Sequence, residues 1–437
     1  MLGQSVTKFA MSEISDAHKL FGFASEGGWV VIGKIASFIA MLAMVRMLAE
    51  QLEPDQYGKL ALGLTLCNFV TQLVMGALGQ GIGRYYSLAI DQGGYEDFLK
   101  TTTKILRMAG LLIVVVGILS VVIFIVSGRA EYAPFVGGLF LFSYMTGIND
   151  ISNGLHNLAR NRMISMRNST LELFIRIPIV GLMLLAFHKS AEIVVIGYLA
   201  CSVVLVYIQK LDMNKLRPVI EIDQKSVFDW KSKIIQLSLP ASIWGAFVWL
   251  QQASDKWMLQ IFSSTHDVAQ YAIIYQIGYT PLIVGMGILT TMFTPILYRN
   301  SQSNKVLINK LLVFIAFITT FGVFFAFFFG DIVVISVASA KYMQVAYFLP
   351  HMVLAAGLYS IGDTLCIKLM SDIRIKEIMK IKIASSVVGV VMNGFGAAMY
   401  GLIGVVYGAI FFGFIYMAMF VLVYFNFSNQ KNAINGC

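Results

Sequence analysis

Apolar runs of about 20 residues, each long enough to cross roughly 30 Å of hydrocarbon, recur from end to end of this 437-residue chain. Only 13% of the residues are charged and 58% are hydrophobic, whereas soluble domains carry about 25% charged residues. A membrane β-barrel would require short segments of alternating hydrophobicity, and the sequence does not show them. The chain is therefore predicted to be an all-α polytopic membrane protein.

We place twelve transmembrane helices at 21–48, 57–81, 105–127, 135–155, 164–187, 193–208, 234–262, 268–297, 306–329, 346–369, 378–398 and 402–424. The charged stretch 209–233 divides them six and six. This predicts an N-terminal six-helix lobe (1–208), a cytoplasmic linker (209–233) and a C-terminal six-helix lobe (234–437).

Most of the 32 Lys and Arg residues fall in connections on one side of this predicted bundle. By the positive-inside rule, both termini are then cytoplasmic. The net charge of +9 reflects this topology and does not indicate nucleic-acid binding. No apolar signal segment precedes the first helix, so we expect that helix to be retained.

The two halves show a weak internal repeat. Gln56-Tyr57-Gly58 aligns with Gln270-Tyr271-Ala272, and each half opens with a long helix and a short outer loop that contains an acid, Glu53 or Asp267. Since each half has an even number of spans, both halves have the same orientation. A parallel repeat of this kind predicts two lobes with the substrate site between them.

Several short motifs carry a resemblance to a known family. Leu52-Glu53-Pro54-Asp55-Gln56-Tyr57-Gly58 resembles the L-x-P-x-x-Y/F-G signature of the bacterial polysaccharide transporters. These include the O-antigen flippases of the multidrug/oligosaccharidyl-lipid/polysaccharide exporter superfamily. Further similar elements are Gly79 to Arg84-Tyr85-Tyr86, Leu239-Pro240, Asp255-Lys256, Tyr271-Ala272 and Tyr275-Gln276-Ile277-Gly278.

The resemblance implies a flippase of the bacterial inner membrane that works by alternating access. Such a protein moves a polyprenyl-diphosphate-linked oligosaccharide, an O-antigen or related repeat unit, from the cytoplasmic to the periplasmic leaflet. It also implies a polysaccharide polymerase and a chain-length regulator as partners, besides membrane lipid. The membrane potential favours this direction for an anionic headgroup, at about 2.3 kcal/mol per charge and 100 mV.

Three alternatives stay open from the residues alone. They are a cation-coupled multidrug exporter of the same superfamily, a membrane-bound polysaccharide polymerase or ligase, and an assembly scaffold that transports nothing. The sequence has no Walker A, HExxH or GxSxG motif, and its five His are scattered. We therefore expect neither an enzyme nor a cofactor or metal site, and we expect transport driven by the potential, a proton or sodium gradient, or the substrate gradient.

Ionisable residues inside spans are candidates for function, because each costs about 2.5–3.5 kcal/mol to insert. Lys34, with Glu26 two turns earlier, is predicted to contact the anionic headgroup or a coupling ion; the alternative is a structural ion pair. Asp255 and Lys256 are adjacent, so we expect their side chains to diverge by about 100° and not to pair. One of them would then face the cavity.

Five more charges enter the hypothesis. Arg84 is either a cation that receives the pyrophosphate or an ordinary cytoplasmic anchor. Asp150, near Asn149, Asn153 and Asn157, suggests an inner polar vestibule or a coupling carboxylate, and Asp363 is a similar candidate. Glu172 and Arg176 have the spacing of an intrahelical ion pair, although Arg176 is also a substrate candidate.

Aromatic residues supply the sugar-stacking candidates. Tyr271, Tyr275 and Tyr279 recur at four-residue spacing on one helix, and Trp249 lies on the helix before it. Aromatic faces stack on sugar rings, but a stripe at helical spacing also serves as packing or as an interfacial belt. Both interpretations are kept for Tyr271, Tyr275 and Trp249.

Overall fold

The computed structural model describes residue 28 and residues 31–91, 94–213, 229–299 and 304–435. The first half contains α1 Val31–Gln51, α2 Pro54–Asp91, α3 Tyr95–Val126, α4 Ala133–Leu158, α5 Arg162–Ala186 and α6 Ala191–Met213. The second half contains α7 Trp230–Phe262, α8 Thr265–Arg299, α9 Asn304–Val337, α10 Leu349–Ser371 and α11 Ile375–Asn435. A 3₁₀ segment, Ala340–Phe348, precedes α10.

Capping residues account for several helix starts. Proline occupies the first turn of α2, α4 and α10, where its missing N–H would have had no intrahelical partner. The side chain of Asp229 accepts a hydrogen bond from the Ser232 N–H at the start of α7. Ser264 accepts one from the Asp267 N–H at the start of α8.

The all-helical membrane prediction is confirmed, since ten described helices are long and apolar enough to cross a bilayer. α4, predicted as the fourth span, lies outside that set of ten, and the last candidate combines the two spans predicted at 378–398 and 402–424. The count of twelve and the two-lobe repeat stay predictions. α3 begins at Tyr95, ten residues before the expected 105, because hydropathy locates the membrane-buried part of a helix and not its polar first turns.

A sharp reversal at Gly401 folds α11 back on itself. Gly401 has φ 56° and ψ −132°, a region that glycine alone adopts readily. A Cβ at Gly396 would lie 2.5 Å from the Gly404 carbonyl oxygen, and one at Gly389 would lie 2.9 Å from the Phe412 ring. The arms 375–400 and 402–435 are therefore antiparallel and closely packed, as small residues allow.

α2 joins the two halves along its whole length. A Cβ at Gly58, near its start, would lie 2.1 Å from the Thr265 carbonyl oxygen of α8. A Cβ at Gly81, near its end, would lie 2.5 Å from Ser238 Oγ of α7. Glycines thus bring α2 into backbone contact with the second half at both ends.

Large apolar side chains cover the outside of the bundle. On α9, Phe317, Phe321, Phe324, Phe327 and Phe328 are each at least 60% exposed. An exposed aromatic surface of this extent is unfavourable in water but suits a lipid environment. Of the predicted linker, 209–213 and 230–233 are helical, and 214–228 lie outside the described residues.

Candidate functional site

A cavity of about 250 Å³ lies inside the second half. Its walls come from α7, α8, α10 and both arms of α11. The polar residues that line it are Gln251, Gln252, Asp255, Lys382, Ser386 and Asn393, together with four tyrosines, Tyr271, Tyr275, Tyr279 and Tyr359. Aromatic walls with a few convergent polar groups are typical of small-molecule and carbohydrate sites.

The predicted tyrosine stripe of α8 forms one wall of this cavity. Tyr275 and Tyr279 are stacked with ring centroids 4.6 Å apart, and Tyr271 lies 6.0 Å from Tyr275. The stretch Tyr275–Tyr279 forms a π-helical turn, an irregularity that is frequent at functional sites. Tyr271 is buried and Tyr275 is half-buried, so Tyr275 is the better placed of the two for contact with a ligand.

The expectation that Asp255 and Lys256 do not pair is wrong. The Lys256 ammonium lies 3.4 Å from both carboxylate oxygens of Asp255, because the four-carbon lysine stem bends back over its neighbour. Asp255 Oδ1 also accepts a hydrogen bond from the Lys256 backbone N–H, at 2.7 Å. The ammonium is 4.5 Å from the ring centre of Tyr275 and 5.4 Å from that of Tyr271, which adds cation–π stabilisation.

A polar stripe on α11 was missed from the sequence. Lys382, Ser386 and Asn393 line the cavity together with Gly389, at spacings of four, three and four residues. This periodicity on an otherwise apolar helix could have shown the stripe. Lys382 lies near the start of the helix predicted at 378–398, and the sequence interpretation did not name it as a candidate. Ser386 donates to the side chain of Gln251 and Asn393 donates to Ser254, which ties the arm to α7.

Trp249 faces the first half rather than the cavity. Its indole N–H donates to the Thr65 carbonyl oxygen at 2.6 Å, and its ring packs on Phe69 at 4.6 Å. The indole N–H of Trp257 donates to Thr65 Oγ1 at 2.8 Å. Both tryptophans therefore join α7 to α2, and the sugar-stacking role of Trp249 stays a prediction.

Lys34 and Arg84 are cations without a hydrogen bond or ion pair to any described residue. Lys34 is half-buried on α1, and Arg84 is exposed near the end of α2. Gly33, next to Lys34, packs against Met166 of α5. Lys34 thus lies next to a helix contact, and its ammonium has no partner among the described residues. Glu26 lies outside the described residues.

The predicted Glu172–Arg176 ion pair is present within α5. The Arg176 guanidinium also lies 4.4 Å from the ring centre of Tyr198, so it packs inside the first half. Asp150 is exposed on α4. Its neighbours Asn149 and Asn153 bond instead to Ser202 of α6 and Ser169 of α5.

Asp363 is half-buried on α10 and interacts electrostatically with Lys382 across the second half. It has no ion pair within 4.0 Å among the described residues. The structure therefore brings Asp255, Lys256, Tyr271, Tyr275 and Asp363 into one half of the bundle. Lys34, Arg84, Asp150 and Arg176 lie in the other half.

A helical bundle with buried charges, an internal polar cavity and two halves in contact along one helix is typical of secondary transporters. The chain has the fold of the transporters of the MOP superfamily. An inward-facing multidrug resistance MATE family transporter superimposes with a TM-score of 0.73 at 15% identity, over 91% of this chain and 96% of the other.

Two further solved structures extend the comparison. The lipid II flippase MurJ, in an inward closed conformation, superimposes with a TM-score of 0.72 at 14% identity, over 91% of this chain and 87% of the other. An outward-facing MATE transporter gives a lower TM-score of 0.59 at 15% identity, over 93% of this chain and 97% of the other. No protein-family model and no curated protein sequence matches this chain.

Proposed function

We propose that this protein is a flippase for a polyprenyl-diphosphate-linked oligosaccharide. It moves an O-antigen or related repeat unit from the cytoplasmic to the periplasmic leaflet of a bacterial inner membrane by alternating access. The fold that it shares with a lipid II flippase supports a lipid-linked substrate. The short motifs around Gly58 and Asp255 support the polysaccharide branch of the superfamily.

One feature of the cavity favours this substrate over a cationic drug. Among the described residues that line it, Asp255 is the one acid, and the Lys256 ammonium already neutralises it. Lys382 lines the same cavity and makes no ion pair within 4.0 Å there. A site for lipophilic cations would need an uncompensated carboxylate, whereas tyrosine faces, amides and a lysine suit a sugar with anionic groups.

In this proposal Lys34 of α1, a cation with no hydrogen bond or ion pair to a described residue, attracts the diphosphate of the substrate. A cation without a protein partner inside a membrane helix keeps its full hydrogen-bonding capacity for an anionic ligand. The cavity of the second half receives sugar units beside Tyr275. Asp150 and Asp363, which have no ion pair with a described residue, are the candidates for coupling to a proton or sodium gradient.

The experiment is a reconstitution in liposomes that contain a fluorescent polyprenyl-diphosphate-linked trisaccharide. A lectin added outside reports how much of the sugar lies in the outer leaflet. We expect protein-dependent transfer between leaflets in liposomes with the wild type and none in protein-free liposomes. Efflux of a cationic dye with no transfer of the sugar lipid would establish the multidrug exporter instead. Polymerised sugar in the product would establish the enzyme.

A further inference from the structure

The end of the bundle that the sequence predicts to face outward carries two hydrogen-bonding contacts between the halves. We call it the outer end; it contains the α1–α2 connection and the Ala340–Phe348 segment. At this end, Arg46 of α1 donates from one guanidinium nitrogen to the Ile335 and Ala338 carbonyl oxygens, the second at 2.9 Å. Those carbonyls belong to the last turn of α9 and the residue that follows it.

Lys341 makes the converse contact. Its ammonium lies 3.3 Å from the Glu50 carbonyl oxygen and 3.2 Å from that of Leu52. It also lies 3.4 Å from the Glu53 carboxylate. Each half thus supplies one cation that binds the C-terminal end of a helix in the other half.

The carbonyls involved are those that most need a partner. α1 ends at Gln51 and α9 at Val337, so their last carbonyls have no intrahelical N–H. The C-terminus of a helix also carries partial negative charge, which attracts Arg and Lys. The two contacts therefore satisfy orphan carbonyls and helix dipoles only while the halves are together at this end.

Apolar packing beside these contacts seals the same end. The rings of Tyr57 and Tyr342 lie 6.1 Å apart across the interface, and both are buried. Leu52, whose carbonyl oxygen contacts Lys341, is fully buried. The side chains of Arg46 and Lys341 remain 41% and 35% exposed, so water can replace their contacts at modest cost.

We propose that Arg46 and Lys341 form a reciprocal latch that holds the outer end closed and that must open for substrate release. This inference rests on the proposed transport function. It assigns positioning roles to two residues that no motif singles out, since their hydrogen bonds across the halves go mainly to backbone carbonyls. The better superposition on the inward-facing than on the outward-facing MATE structure agrees with an outer end that is closed here.

Double electron–electron resonance tests the latch without any substrate. Spin labels at His188→Cys and Tyr400→Cys, both exposed at the outer end, report its opening in lipid nanodiscs, with the four native cysteines replaced by alanine. The variant Arg46→Met/Lys341→Met keeps the side-chain stems and removes both charges. We expect it to raise the ratio of open to closed protein on the order of tenfold.

Two controls make the result specific. Arg46→Lys/Lys341→Arg keeps both cations and should retain the parent distribution. Arg129→Ala removes an outer-end cation whose guanidinium has no hydrogen bond to a described residue, and it should also leave the distribution unchanged. If the double Met variant does not fold, the two single Met variants are measured, each with an expected shift of about threefold.

An unchanged distance distribution in folded Met variants would overturn the latch, as would an equal shift with Arg129→Ala. The labels report distances in the absence of substrate. A failed latch therefore leaves the flipping assay in liposomes unaffected, and a failed flipping assay leaves the distance result standing.

Discussion

The ammonium of Lys256 lies 3.4 Å from each carboxylate oxygen of Asp255, although the two residues are neighbours in one helix. Their side chains are only 11% and 9% exposed. At such burial each charge depends on the other, because a lone ion in a low-dielectric site is strongly unfavourable. The pair also fixes the position of the ammonium against the Tyr271 and Tyr275 rings.

Removing one partner leaves the other charge buried and unpaired, so the effects of the two removals should not add. We expect Lys256→Met and Asp255→Asn each to lower the free energy of unfolding by about 3 kcal/mol. The double variant should lose less than the sum of the single variants, with a coupling of at least about 1 kcal/mol. Unfolding in mixed micelles, followed for all four proteins of the cycle, measures the coupling. Strictly additive effects would show that the pair does not stabilise the fold.

The contact between Gly58 and Thr265 leads to a steric prediction for Gly58→Ala. A Cβ at position 58 would lie 2.1 Å from a backbone carbonyl oxygen, which cannot move without its helix. Gly58→Ala should therefore push α2 away from α8 and cost about 1–3 kcal/mol of stability.

Gly154→Ala is the matched control for this substitution. Gly154 lies within α4, and a Cβ there would meet nothing within 4 Å. The higher helix propensity of alanine should make this variant neutral or up to ~1 kcal/mol more stable. Thermal melts of the two variants in the same detergent give the comparison. Equal melting temperatures would mean that α2 and α8 are not in backbone contact at this end.

Gly58 also illustrates how much of the fold could be predicted from the sequence. The motif Leu52 to Gly58 pointed to a family, and the all-helical membrane class followed from hydropathy. The reason for the glycine, close approach to the other half, needed the packing of α2 on α8, which lies more than 200 residues away in the chain. Periodicity within a helix carries no information about which helix of the other half it meets.

Only some of the cavity residues were named from the sequence. Tyr271, Tyr275 and Asp255 were named and line the cavity of the second half, but the repeat predicts a substrate site between the halves. Lys382 was missed because it follows the basic residues Arg374, Lys376 and Lys380 near the start of the helix predicted at 378–398. The outer latch was missed for a different reason. The bonds of Arg46 and Lys341 to backbone carbonyls leave no pattern in the sequence, and the Lys341–Glu53 ion pair joins residues 288 positions apart.

A comparison of Lys34 with Lys59 can distinguish a cation that binds ligand from one that stabilises the fold. Lys59 of α2 pairs with Glu192 of α6, and its ammonium lies 4.5 Å from the ring centre of Tyr132. Lys34 has no hydrogen bond or ion pair to a described residue. We expect Lys34→Ala to lower flipping of the diphosphate lipid about tenfold with an unchanged melting temperature, and Lys34→Arg to retain activity.

Lys59→Ala should affect the stability of the protein and not its transport activity. It should lower the melting temperature by removing a half-buried ion pair, while the flipping rate per folded protein stays the same. Melting and the liposome assay are run on the same preparations. A fall in melting temperature with Lys34→Ala would indicate that this lysine has a structural partner, and the substrate role would be withdrawn.

Substitutions of Tyr275 can test whether the cavity is a sugar site. Its ring lies between those of Tyr271 and Tyr279 at one wall, and the cavity of about 250 Å³ has room for one sugar ring. If the ring face binds sugar, Tyr275→Phe should keep most of the activity. Tyr275→Ala should lower flipping of the trisaccharide lipid about three- to tenfold, the range expected for one lost aromatic contact.

Contact between Tyr275 and the sugar can be isolated by comparing the flipping of lipids with and without the trisaccharide. A polyprenyl diphosphate without the trisaccharide has nothing to place against Tyr275, so its flipping should be equally fast in the Tyr275→Ala variant and the wild type. Phe321→Ala, on the lipid-facing surface of α9, serves as a control for loss of an aromatic ring outside the cavity. An equal loss for both lipids would mean that Tyr275 acts through the Asp255–Lys256 pair beneath it and not by contact with the sugar.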